Sequence, residues 1–585
     1  MILQALYEYY ERNKDKLPPA GFQEQEIKFL VVIDRGGKFL DLLDLREGRR
    51  GKPFLLPKSV IRTIKIQPNF LWDHYGYLFA HPKDDKTRSV DSARKQMSSF
   101  LDMLKSLPAE VSSDDGIKAI SRFYESGEWE KVKEHDRWPE CSGIPGCNLT
   151  FKLDGEDKLI PQRESVKKYQ TLKNDEPNNV DGDEDEDNGA NTTYEAKCLI
   201  TGLKGNIARL HTPTPIIGSR SNAKIVAFQK GKGFDSYGKE QAFNAPISRE
   251  AESSYSTALK YLTRSQENQV RVSDSTIIFW SQKSDEDKTK YDLESEFTWF
   301  FRNDKDDPDR GIRAVKGLYE AFKTGRLPLN EGNRFYVLGL APNAARISVR
   351  FWRTGTIKDF AEKIKHHVDD FEIDRSPKDP EYLSLYQILS STAFENKMDN
   401  VPPNLAGKVV ESILDGSPYP ATLMQQCMRR IRAERHVNRV RAAILKAYIN
   451  RFNRFHNKQE REVTMSLDRS NENTAYRLGR LFAVLEKIQE EAGQVSATIR
   501  DRFYGAASST PTSVFPRLLK LKNHHLAKLN PGRKVNMEKE IGEIVDGMGN
   551  EWPANLTLDE QARFAIGYYH QRQDFFKKKE STEVL

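Results

Sequence analysis

Cysteine is scarce, with four in 585 residues. Cys141 and Cys147 stand in a C-x5-C spacing, and Cys198 and Cys427 are isolated. This gives neither a disulfide framework nor the ligand spacing of a zinc site. Long apolar runs are missing too: nothing approaches the ~18 residues of a membrane span. The opening residues, Met1-Ile2-Leu3-Gln4-Ala5-Leu6-Tyr7-Glu8, run into a charged amphipathic pattern without a signal-peptide layout. Together these absences predict a soluble, reduced, cytoplasmic protein. No nucleophile elbow and no pair of catalytic carboxylates stands out. The chain is 37% hydrophobic and 30% charged, with a mean hydropathy of −0.70. That composition suits a surface-rich, multi-domain module of an assembly.

What is present is charge, unevenly placed. Residues 421–530 hold 21 Lys/Arg against 9 Asp/Glu, a local net of +12, while the whole chain sums to +7. The cations interrupt a helical pattern: Arg429, Arg430, Arg432, Arg435, Arg439, Arg441, Arg451 and Arg454. A folded surface so charged repels itself unless a polyanion neutralises it, and the usual polyanion is nucleic acid. Arg429, Arg432, Arg439, Arg500 and Arg502 are the candidate backbone contacts.

The pattern along the chain predicts an α+β protein: mixed N-terminal and middle regions, then an all-α C-terminal bundle. Residues 1–16 have helical period. Ile27–Ile33 and Lys38–Leu45, joined by Asp34-Arg35-Gly36-Gly37, predict a β-hairpin. Val90–Leu107 predicts a helix. Asp175–Asp187 holds eight acidic residues and no basic one, and predicts a solvated loop. Ala196–Ile200, Ala223–Gln229 and Thr276–Trp280 read as strands, and Ser248–Arg264 as a helix. Arg334–Leu340 and Arg346–Trp352 read as a second hairpin; Ile347, Val349 and Phe351 would share its apolar face. From about Tyr382 the pattern is helical only, with Leu423–Phe455, Thr474–Ala492, Val514–Leu529 and Leu558–Phe576 forming a bundle of about four helices. The expected segments are 1–175 (α/β, the motif reader), 176–190 (acidic loop), 191–380 (α/β), 381–418 (helical connector) and 419–585 (basic bundle).

Two motifs suggest chemistry. Gly233–Lys239 fits G-x-x-x-x-G-K, but the hydroxyl that should follow is Glu240, and Pro246 argues against an immediate long helix. His366-His367 and Asp369-Asp370 lie on an amphipathic helix, where adjacent residues point in different directions and no second cluster completes a metal site. Gly36-Gly37-Lys38-Phe39 offers close backbone approach, a cation and an aromatic wedge; the plain alternative is a hairpin turn with a flanking lysine. Asn69, Asp73, His74, Tyr75 and Tyr77 form a polar and aromatic cluster open to the same two readings.

Several stretches together resemble the large subunit of the subtype I-C CRISPR surveillance complex, Cascade. They are Cys198-Leu199-Ile200-Thr201-Gly202 with Ile207–His211, Ser236–Gln241, Asn244–Ser248, Tyr476–Glu486 and Gly567–Arg572. The resemblance implies a non-catalytic subunit without cofactor or metal. Its partners would be crRNA, double-stranded target DNA with its displaced strand, the Cascade backbone and crRNA-processing subunits, and a separate helicase-nuclease. It would read a short protospacer-adjacent motif (PAM) while RNA–DNA pairing reads the sequence. Motif reading is assigned, as a chemical expectation, to Gly36, Gly37, Lys38, Phe39, Asn69, His74 and Tyr75. The resemblance also implies a small subunit from the same gene; a product from Met465 to Leu585 would hold 121 residues, with Met424 and Met428 as alternative starts. The competing classes are a nucleotide- or metal-dependent nuclease and a purely structural scaffold.

Overall fold

The computed structural model describes residues 1–48, 50–60, 66–84, 86–175, 194–229, 235–282, 300–301, 309–324, 334–493, 497–549 and 552–577. The acidic segment expected at 176–190 lies outside them, as do Gly233 and Phe234. The chain forms two compact units, Met1–Pro215 with Arg220–Tyr261, and Ile216–Ser219 with Leu262–Leu585. The division therefore falls inside the segment expected at 191–380.

The first unit begins with helix α1 (Ile2–Arg12). Its central sheet has the order β3 (Phe39–Asp44), β2 (Phe29–Ile33), β6 (Asn148–Leu153), β5 (Trp72–His74). Strand β2 is antiparallel to β3, as the hairpin pattern predicts, and parallel to β6. All five residues of β2, Phe-Leu-Val-Val-Ile, are buried. A strand covered on both faces needs such a continuous apolar run. Helices α2 (Tyr75–Phe79), α3 (Thr87–Lys105) and α4 (Asp115–Glu125) contribute to the same core through Leu78, Phe100 and Phe123. Two short antiparallel pairs complete the unit's sheets: β1 (Phe22–Ile27) with β4 (Lys52–Pro57), and β7 (Glu195–Lys197) with β8 (Lys204–Asn206). Helix α5 (Arg249–Leu262) follows. The strand expected at Ala223–Gln229 is absent: these residues form an isolated bridge at Lys224, a bend and irregular backbone. Their apolar run is only Ile225-Val226-Ala227-Phe228, too short to identify a strand by itself.

The second unit contains an antiparallel sheet ordered β12 (Arg346–Thr356), β11 (Arg334–Asn343), β10 (Ser275–Ser281), β9 (Gln269–Val272). The expected alternation on β12 is broken. Gly339 pairs with Phe351 and Leu340 with Val349, so Arg350 is an extra residue in a bulge. Val349 is accordingly exposed, while Ile347 and Phe351 are buried. Helix α6 (Arg310–Lys323) lies between β10 and β11 in sequence and packs on α7 (Ile357–Asp370); α7 and α9 (Leu405–Asp415) pack on β12, and α8 (Leu385–Ser390) lies between them in sequence.

The C-terminal part is all helical but has seven helices among the described residues rather than about four: α10 (Ala421–Glu434), α11 (Arg439–Phe455), α12 (Thr474–Glu491), α13 (Ile499–Ala507), α14 (Pro511–Leu526), α15 (Pro531–Asp546) and α16 (Leu558–Asp574). The expected single helix Leu423–Phe455 is divided at Arg435, which adopts φ +53°; Asn438 then caps α11 by accepting from Arg441 N at 2.9 Å. Helices α12 and α16 cross at two glycines. A Cβ on Gly479 would lie 2.0 Å from the Phe564 carbonyl oxygen, and one on Gly567 2.1 Å from that of Tyr476. Only glycine permits this backbone approach.

Candidate nucleic-acid interface

The Gly36-Gly37-Lys38 turn is built from the inside. Asp34 O accepts from Gly37 N at 3.0 Å, and Asp34 Oδ1 accepts from Lys38 N at 2.8 Å. Gly37 has φ +87°, and a Cβ there would lie 2.5 Å from Phe123 N. Its conformational freedom lets the turn pack on α4. Phe39 is likewise turned inward: its N–H donates to Glu128 Oε2 at 3.0 Å, and its ring stands edge-on to His135 at 5.9 Å. Lys131, the Phe39 N–H and Lys38 hold the Glu128 carboxyl below its ordinary range. Arg35, Gly36 and Lys38 remain exposed. Arg122 Nη1 donates to the Arg35 carbonyl at 3.1 Å and brings a third cation beside the turn. Of the quartet, Lys38 alone presents a charged side chain to solvent.

The cluster from Asn69 to Tyr77 is a buried network, not a surface. Asn69 and Tyr75 are each 4% exposed. Asn69 Oδ1 accepts from Val60 N at 2.9 Å, and its N–H donates to Asp73 Oδ2 at 2.8 Å. His74 is half-buried and caps α2, its Nδ1 accepting from Gly76 N at 3.0 Å. Tyr77 packs edge-on to the His74 ring. Asn69 and Tyr75 are therefore held within the fold around β5 and present little surface to solvent.

The C-terminal arginines divide into two groups. Arg429, Arg432 and Arg502 are exposed, with Arg432 also reaching Gln561. Arg439, Arg441, Arg451, Arg480 and Arg500 turn inward. Arg439 donates to the carbonyls of Pro380 and Glu381, at 2.6 and 2.9 Å. Arg500 Nε lies 3.5 Å from Glu486 Oε1. Arg441 is buried, donating to Ser391 O at 3.2 Å and pairing with Glu434 at 2.5 Å. Arg451 is buried against Asp370 at 2.7 Å, and Arg454 pairs with that carboxylate as well. Arg480, fully buried, meets Glu543 at 3.1 Å. Much of the local excess of positive charge is thus consumed by carboxylates and carbonyls inside the bundle. Such pairs fix helix positions, and breaking one by removing a partner costs about 3–5 kcal/mol.

A stronger signal lies further along. From Arg502 to Met537 there is no Asp or Glu, while Arg502, Arg517, Lys520, Lys522, Lys528, Arg533 and Lys534 all fall in that stretch. Arg502, Arg517, Lys520, Lys528 and Lys534 are exposed. On α14 and just beyond it, Arg517, Lys520, His524 and Lys528 are spaced by three and four residues and so share a face. A tally of net charge over 421–530 hides this strip, because it averages buried pairs with free cations.

The CRISPR-associated protein family Csd1 matches the chain over residues 6–576. The chain belongs to the Csd1 family. No curated protein sequence matches it. The family match supports a CRISPR-associated role as a Cascade subunit working with other Cas proteins.

For a Csd1-family chain the two enzyme-like motifs have structural explanations. Ser236 and Lys239 close a tight turn through reciprocal backbone bonds of 3.2 and 2.9 Å, with Tyr237 at φ +52° and Gly238 at φ +70°. These angles make a type I′ turn, and no described strand leads into it. Lys239 lies over the Tyr194 ring. On α7, His366 is exposed, while His367 is buried and bonded through Nδ1 to the Tyr419 hydroxyl at 2.7 Å. Asp370 faces Arg451 and Arg454 instead of a histidine. Among the described residues no group of three His, Cys, Asp or Glu is arranged to hold a metal ion, and no helix is long and apolar enough to cross a membrane.

Proposed function

We propose that the chain is the large subunit of a subtype I-C Cascade, with no catalytic chemistry of its own. It recognises the PAM in duplex DNA, promotes unwinding, holds the displaced strand and helps recruit the helicase-nuclease. The observation that carries this reading is the Csd1 match over nearly the whole chain, joined to an exposed basic strip on its helical end. Cations on a solvent-facing helix suit phosphate contacts, which supply affinity without base specificity.

The exposed tip at Arg35 and Lys38 supports motif reading at the N-terminal hairpin. Asn69, His74 and Tyr75 act there by holding the neighbouring elements. The gene also yields a small subunit starting at Met465, which lies half-exposed between α11 and α12. A product from that position keeps the whole α12–α16 crossing.

The test is an R-loop assay on matched targets that differ only in the flanking motif. The chain is co-assembled with crRNA and the other subunits, or omitted. Motif-dependent R-loops should vanish without the chain. Lys38→Ala should narrow the ratio between correct and scrambled motifs, while Tyr75→Phe should leave it intact. Equal R-loops with and without the chain would reduce it to a scaffold.

A further inference from the structure

Two of the arginines that turn inward, Arg439 and Arg500, meet at one cleft. The cleft lies within the second unit and has a volume of about 430 Å³. It is bounded by the chain around Asp379 and Pro380, the N-terminal end of α11, Arg500 on α13 and the C-terminal end of α16. Its cations come from three distant parts of the sequence: Arg439, Arg500 and Arg572. Asp379 is the only acidic side chain among the lining residues.

The ion pairing here is uneven: Glu486 and Glu490 serve Arg500 and Arg572, while among the described residues Arg439 has no carboxylate partner. Arg500 and Arg572 share a single, fully buried carboxylate, Glu486, at 3.5 and 2.8 Å; Arg572 also reaches Glu490 at 2.9 Å. Arg439 has neutral carbonyl partners for both Nη groups, and its buried Nε has no partner among the described residues. A half-buried guanidinium with no carboxylate among the described residues within salt-bridge distance is costly unless an anion joins it. Burial lowers the basicity of Arg439, and Asp379 only partly offsets this. His436, also in the lining, is pushed down by burial and then by Arg500 and Arg441. The first turn of α11 adds the positive end of a helix.

The apolar part of the lining mixes aliphatic residues (Pro380, Leu383, Val437, Val440) with the aromatics Tyr568, Tyr569 and Phe576. The hydroxyls of Tyr568 and Tyr569 are committed, to Glu486 Oε2 at 2.5 Å and to the Asp374 carbonyl at 2.6 Å. Tyr568 and Tyr569 are 1% and 4% exposed and form the floor of the cleft, whereas Phe576, 68% exposed, is the lining aromatic whose ring is open to solvent. Cations beside aromatic faces, in a space within the ~300–1,000 Å³ of small-molecule sites, match a nucleotide.

We propose that this cleft binds one nucleotide, with its phosphate against Arg439, Arg500 and Arg572 and its base against the exposed ring of Phe576. The nucleotide is either free or one unit of a single strand, and the second source rests on the function proposed above. The test is calorimetric titration of the full chain with dTMP, with the dinucleotide pdTdT and with thymidine. Gln573→Glu, which adds a carboxylate to the lining without removing a packed cation, is compared with Arg439→Gln. At least one phosphorylated probe should bind, thymidine should not, and Gln573→Glu should weaken binding at least tenfold. dTMP binding as tightly as pdTdT assigns a free nucleotide; pdTdT binding at least tenfold tighter assigns a strand. No binding of either phosphorylated probe, equal binding of thymidine, or an unchanged affinity in Gln573→Glu overturns the proposal. Because this readout involves no target DNA or crRNA, it can fail while the R-loop assay succeeds, and the reverse.

Discussion

Replacing Gly567 by alanine puts a methyl group where α12 and α16 leave no room. The new Cβ would sit 2.1 Å from the Tyr476 carbonyl oxygen and 2.9 Å from its carbonyl carbon. Both are backbone atoms, so no side-chain rotation relieves the contact. The helices must separate by about 1 Å to restore an ordinary approach of roughly 3 Å. That separation loosens the rings packed at the crossing, where Phe482 lies 5.9 Å from Phe564 and 6.0 Å from Tyr568. Overpacking of this kind costs about 3 kcal/mol, and the gain in helix propensity from glycine to alanine returns about 1 kcal/mol. The net loss is about 2 kcal/mol, or about 4 °C in the unfolding midpoint of a unit this large. Gly542→Ala is the matched control. It lies inside α15 with nothing within 4 Å of the added Cβ, so only the propensity gain remains. Its midpoint should rise by about 1–2 °C. Thermal unfolding followed by circular dichroism reads both variants. If Gly567→Ala rises like Gly542→Ala, the helices do not approach at these glycines, and the account of the crossing is wrong.

Two further expectations concern charge. In the assembled complex, changing Arg429, Arg432 and Arg502 together to glutamine should lower the salt slope of DNA binding by about 2, at roughly 0.7 for each lost single-strand phosphate contact; an unchanged slope in a filter-binding titration would remove these residues from the interface. Stability should fall as pH drops from 7 to 5 because two buried histidines stay neutral in the fold. His570 is pushed down to about 3 by burial, with Lys446 adding to it, and His367 is well below its ordinary value through burial and then Arg451. The unfolded chain takes up these protons near pH 6.5 and the folded chain does not, so each histidine removes about 2 kcal/mol by pH 5. Carboxylates with depressed values, such as Asp114 and Glu434, lose their contribution only at lower pH and do not enter this window. Urea midpoints that stay flat from pH 7 to 5 would show that both histidines are accessible to protons.

The legible parts of the fold were those where local pattern and tertiary role agree. The run Ile27–Ile33 followed by Asp-Arg-Gly-Gly predicts a hairpin strand and turn; both form, with the strand confined to Phe29–Ile33. The bulge at Arg350 was not legible, because it depends on how Gly339 meets the Phe351 ring across the sheet. The division of Leu423–Phe455 was hidden for a related reason. Arg435 and His436 carry no glycine or proline to mark the break, and the Asn438 cap is visible only once the helix start is known.

The candidate interface was harder to read than the fold, and for an electrostatic reason. Sequence counts charge but does not say which charges face water. Asp370 neutralises Arg451 from 81 residues away, and Glu543 meets Arg480 across 63 residues, so local excess and exposed excess diverge. Gly37 and Asn69 show the same limit for uncharged groups: the features that suggested contact with a groove, backbone freedom and hydrogen-bonding capacity, are spent on Phe123 and Asp73. A better signal was available in the absence of acids from 502 to 537. A buried arginine needs a nearby carboxylate or carbonyl, whereas an exposed phosphate-binding face must avoid carboxylates. Lack of acid at helical spacing therefore discriminates where abundance of base does not. By that criterion Lys520 and Lys528 should contribute more to the DNA salt slope than Arg451 or Arg454, although all four lie in the same positive stretch.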